Sequence, residues 1–105
     1  PTPWPCFVIA VRDEFISNEK ETLQAILKTI NTITAGFKHI PEIDTIISER
    51  YQQKNEDVKN WLTLTEWSQE NIHPSTVEAV QNQLLKLDII SEKLAYDQLV
   101  ASLED

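Results

Sequence analysis

The sequence predicts an α/β chain that is mostly helix, with one buried strand followed by four or five helices. Three observations carry this reading. Cys6, Phe7, Val8, Ile9, Ala10 and Val11 run apolar without a break after Pro1, Pro3 and Pro5. A run of this kind, rich in β-branched residues, reads as a strand buried on both faces. Downstream, apolar residues recur at spacings of three and four, the period of a helix with one core face. Glycine occurs once in 105 residues, which suits helices with few left-handed turns.

Each element follows from local signals. The three prolines give a stiff, non-helical entry. Arg12, Asp13 and Glu14 end the apolar run, and Phe15 and Ile16 lead into a helix. Asn18 followed by Glu21 has the form of a capping box. Leu23, Ile26, Leu27, Ile30, Ile33 and Phe37 then make one stripe on a helix of about five turns. Gly36 sits near its end, where a glycine cap is favoured. Pro41 reads as a first-turn proline, and Ile43, Ile46, Ile47 and Tyr51 form the second stripe. Gln52 to Asn55 read as a connection, with Asn55 as the cap of a third helix and Glu56 and Asp57 in its first turn. Val58, Trp61 and Leu62 give that helix its face. Thr63 to Trp67 alternate weakly, as a short extended stretch would. Asn71 to Pro74 form a loop. Ser75 and Glu78 match a capping box, and Val77, Val80, Leu84, Leu85 and Leu87 form a fourth stripe. Asp88 to Ser91 break the pattern before a last short helix holding Ala95, Leu99, Val100 and Leu103.

A strand apolar on both faces needs neighbours that the rest of this chain does not offer. Its sheet is therefore expected elsewhere, in further polypeptide or in a second copy. Pairing of Cys6 to Val11 with the same run of another copy would give a homodimer. Residues 1–105 read as one segment, at most one domain. The lack of methionine reads as a processed or excised piece, so export stays open. No signal peptide or transmembrane span is visible. Seventeen acidic residues against nine basic ones give a net charge of -8. No basic patch is present, so nucleic acid and anionic membrane are excluded as favoured partners.

Chemistry has little to build on. His39 and His73 belong to no zinc spacing and read as surface or capping residues. Cys6 opens an apolar run and reads as an inert core thiol. The pairs Asp13/Glu14, Glu56/Asp57 and Glu104/Asp105 are adjacent, so their side chains diverge. One glycine cannot make a phosphate loop. No catalytic residue, metal ligand set or cofactor is therefore expected. Trp61 and Trp67 read as core. Trp4, between two prolines, reads equally as core or as an aromatic ligand platform.

A Thr-Pro-Trp-Pro lead-in, the run from Cys6 through Arg12 to Ile16, and a long Asn/Glu-capped helix together resemble the late part of type II periplasmic-binding proteins. The nearest group binds nitrate, sulfonates and thiamine-pyrimidine precursors, including a branch shared by bacteria and fungi. Trp61 through Trp67, Ile72 to Glu78, the helix reaching Leu87 and Ile90, and the closing Leu94 to Leu99 also fit. The likeness covers nearly the whole chain through moderately specific hydrophobic patterns. Where the family often has glycine before its final helices, this chain has Leu87-Asp88-Ile89.

The resemblance implies the C-terminal third of a two-lobe, non-catalytic solute-binding protein. Such a protein closes its lobes on a small organic or anionic solute and delivers it to an ABC transporter permease. It implies a periplasmic or membrane-anchored extracytoplasmic location. From this segment, Thr2 and Trp4 would approach the ligand cleft, with Pro3 and Pro5 fixing their loop, although Thr2 also fits a simple turn residue. A small acidic helical protein-interaction module is the alternative, favoured if no α/β lobe precedes the chain. A thiamine-pyrimidine-synthesis enzyme on the same fold comes third, because Cys6 and His39 form no cluster.

Overall fold

The structure, a computed structural model, describes residues 4–103. Its elements are α1 (Asp13–Asn18), α2 (Lys20–Ala35), a 3-10 turn (Phe37–His39), α3 (Ile43–Tyr51), α4 (Asn55–Leu64), α5 (Pro74–Lys86) and α6 (Tyr96–Leu99). Among the described residues there is no strand, which corrects the expectation of an α/β chain. Cys6 to Val11 have no regular structure, and their backbone groups bond to no other described residue. Phe7, Val8 and Ile9 are 91%, 68% and 56% exposed. The physical reason is pairing. A strand exists through its ladder, and no other described segment supplies one. The second extended candidate is partly absorbed by α4, which continues to Leu64. No helix among the described residues is long and apolar enough to cross a membrane.

The chain divides into two units. The first holds residues 21–69, with most of α2, the 3-10 turn, α3 and α4. Leu23, Ile43 and Val58 are its buried apolar side chains, one from each helix. α3 packs on α4 and on the 3-10 turn. Asn55, the first residue of α4, donates from Nδ2 to Asp44 Oδ2 on α3 at 3.3 Å. Lys59 approaches the same carboxylate oxygen at 3.8 Å. The end of α2 is tied to the chain after α4 through Gln69, whose carbonyl accepts from Asn31 Nδ2 and whose amide donates to Thr34 Oγ1.

The second unit holds residues 4–20 and 70–103 of those described. α5 is its principal helix, and α6 packs on it. Val77 and Gln81, one turn apart on α5, are its buried residues. Gln81 is 9% exposed. Its amide grips one residue of the C-terminal segment: Nε2 donates to the Leu94 carbonyl at 3.0 Å, and Oε1 accepts from the Leu94 N–H at 2.7 Å. Tyr96 adds a bond from its hydroxyl to the Ile72 carbonyl at 2.6 Å. Lys93 donates to Asn82 Oδ1 at 3.0 Å and lies 3.6 Å from Glu78.

Helix ends depart from the sequence expectation in a consistent way. Gly36 follows α2 but holds φ at -107°, a backbone open to any residue. Left-handed conformations fall instead on Glu42, Gln52 and Asp88, at φ 58°, 52° and 57°. After α3, the Gln53 N–H closes on the Ser48 carbonyl at 3.0 Å around Gln52. After α5, Ile89 N–H reaches the Leu84 carbonyl at 2.9 Å and Asp88 N–H the Leu85 carbonyl at 3.0 Å. These are Schellman closures, usually made with glycine. Asn18 ends α1 instead of capping α2.

Candidate functional site

Trp4 lies in the second unit, beside α5. It lines an open depression of about 400 Å³ together with Ser75, Thr76, Ala79 and Gln83. Thr76, Ala79 and Gln83 recur at spacings of three and four, so they share one face of α5. Val77 and Gln81 take the buried face. Ala79 is the smallest side chain of the exposed set, and it leaves the room beside the indole. Among the described residues no charged side chain lines the depression. It offers an aromatic ring, two hydroxyls and a carboxamide, groups that suit stacking and directional hydrogen bonds. Thr2, the other residue expected near a ligand, lies outside the described residues.

The start of α5 fixes this geometry. His73 stands at the N-cap with φ -70° and ψ 142°, and Pro74 opens the helix. Proline suits the first helical position because its missing N–H would have no intrahelical partner. His73 Nδ1 accepts from the Ser75 N–H at 3.2 Å and lies 2.7 Å from Ser75 Oγ. The histidine therefore caps the helix, and Ser75 sits in the first turn instead of forming the capping box expected with Glu78. One hydroxyl of the depression is thus held by the cap.

The other candidates are Cys6 and His39. Cys6 is an exposed thiol, not the core thiol the apolar run suggested. It belongs to one unit, and His39, at the end of the 3-10 turn, to the other. Among the described residues no group of three or more His, Cys, Asp or Glu is placed to hold a metal ion. In the first unit, Phe37 and Trp67 lie 5.0 Å apart between ring centroids. Trp61 meets Trp67 edge-on at 5.9 Å. Trp67 is half-buried in this cluster, while Trp61 keeps 46% of its surface exposed. The expectation of core packing thus fits Trp67 better than Trp61. Lys38 and Glu66 pair beside the cluster in sequence at 3.1 Å.

Sequence reasoning gave Thr76, Ala79 and Gln83 no role. Their signal was available as short uncharged residues at helical spacing, opposite the Val77 face. Nothing in the sequence pointed from Trp4 to that face across some seventy positions. In comparisons with known proteins, no family model, no curated protein and no solved structure matches this chain.

Proposed function

We propose that this chain contributes one wall of a small-molecule site in a solute-binding protein. The observation that carries the reading is Trp4 set against the uncharged Ser75, Thr76, Ala79 and Gln83 face of α5. An indole presented over hydroxyls and an amide is suited to a small polar solute held by stacking and hydrogen bonds. The depression is open, so further protein surface must complete the enclosure. Closure of two lobes on the solute would supply it, with no covalent step. Delivery to an ABC transporter permease, on the outer side of a membrane, belongs to the same proposal.

The test is thermal stability of the encoded protein against a panel of nitrate, alkyl sulfonates and aminopyrimidines. A ligand-dependent rise in Tm that disappears in Trp4→Ala supports the reading. No shift across the panel, or a shift unchanged in Trp4→Ala, refutes the assigned wall.

A second reading is favoured by a different observation. On α2, Ile26, Ile30 and Ile33 are exposed at one helical spacing, the pattern of an apolar stripe that meets another protein. With a net charge of -8, an acidic helical interaction module would present that stripe to a partner. Light scattering separates the two: association lost in Ile30→Asp without effect on solute response favours this module.

A further inference from the structure

We infer that His73 makes the start of α5 sensitive to pH. The inference rests on the cap geometry and holds whether or not a solute binds. The Ser75 N–H is one of the donors that a helix start leaves without an intrahelical partner. Its acceptor is His73 Nδ1 at 3.2 Å. That bond requires a neutral imidazole with its proton on Nε2, since a protonated Nδ1 has no lone pair to offer. Protonation therefore removes the acceptor and places a cation against the positive end of the helix dipole. The 2.7 Å contact to Ser75 Oγ survives with its direction reversed, Nδ1–H donating and the hydroxyl accepting. The backbone N–H of Ser75 is then the group that loses its partner, while the Ser75 hydroxyl, now the acceptor, has its own proton released from the ring.

His73 takes part in no ion pair among the described residues. Glu78, one turn along α5, is engaged by Lys93. Lys86 is in the last turn of α5. From the C-terminal segment, the Tyr96 hydroxyl donates to the carbonyl of Ile72. Glu70 precedes the loop in sequence.

The experiment is NMR on the whole chain. At about pH 7.5 the ring nitrogens of His73 should report a lone pair on Nδ1. Ser75 amide exchange, corrected for its intrinsic pH dependence, should rise about three- to tenfold on acidification to about pH 5, the scale of one lost cap. His73→Asn keeps a cap acceptor at both values and should abolish the rise. His39→Asn, altering the other histidine, should leave it intact. A proton on Nδ1 at about pH 7.5 overturns the inference, as does a rise that persists in His73→Asn.

Discussion

Replacing Gln81 by leucine tests whether its side-chain amide holds the C-terminal segment. Gln81 is the one buried polar residue among those described, and both of its polar atoms are spent on Leu94, at 3.0 and 2.7 Å. A net hydrogen bond contributes about 0.5–1.5 kcal/mol, so two give about 1–3 kcal/mol. Leu94 is 44% exposed, so water reaches its freed N–H and carbonyl and keeps the loss toward the lower end. Added apolar burial of the leucine returns part of it. The expected loss is about 1–2 kcal/mol in urea unfolding, with faster amide exchange at Leu94. The bonds of Lys93 and Tyr96 stay in place, so the remainder of the segment keeps its protection. Gln81→Glu sharpens the test. A carboxylate still accepts from the Leu94 N–H but opposes the carbonyl. The opposed carboxylate is raised in pKa in the folded state, so the penalty should be full at neutral pH and above and shrink as pH falls toward the ordinary glutamate value of about 4.3, where the acid is protonated and can donate. A Gln81→Leu chain within about 0.3 kcal/mol of the parent, with Leu94 exchange unchanged, refutes the latch.

Gly36→Ala should stabilise the protein by about 0.4–1 kcal/mol, because its φ suits alanine and an added Cβ meets nothing within 4 Å. A fall in Tm would contradict that backbone. Asp88→Gly should also stabilise, by up to about 1 kcal/mol, by relieving a left-handed non-glycine residue, whereas Asp88→Val should cost more than that gain; thermal melts rank the three. Trp67→Ala should cost about 2–3 kcal/mol, since the ring stands against both Phe37 and Trp61, and a loss below about 0.5 kcal/mol would show that the cluster is not a packing unit.

Helix placement was legible in the sequence because the three-four spacing of the apolar residues is local. Leu23, Ile43, Val58 and Val77 each belong to a stripe visible by eye, and each is buried. What failed was the inference from apolar content to burial. Six apolar residues from Cys6 to Val11 specify a wish for cover, and only a partner ladder turns that into a strand. The caps failed for a subtler reason. Asn18 and Ser75 carry the right side chains, yet chain direction, not residue type, decides which residue stands before the first turn. His73 took the cap because Pro74 fixed the first helical position. The left-handed turns at Glu42, Gln52 and Asp88 could not be read from residue type, since glycine, their usual marker, stands elsewhere. Trp4 was recognisable as unexplained by core packing, but its partners on α5 required the folded chain.

The exposed run from Cys6 to Val11 also bears on how this protein must be handled. Six uncharged residues without glycine or proline match the window that seeds cross-β stacking. Pro5 stands on one side and Arg12, Asp13 and Glu14 on the other, placed as gatekeepers that block or repel a growing stack. Arg12 and Glu14 lie 3.3 Å apart, with both side chains mostly exposed. The run is thus flanked by Pro5 and by three charges, two of which, Asp13 and Glu14, also open α1, so a substitution there would act on the helix start and on the guard of the run together.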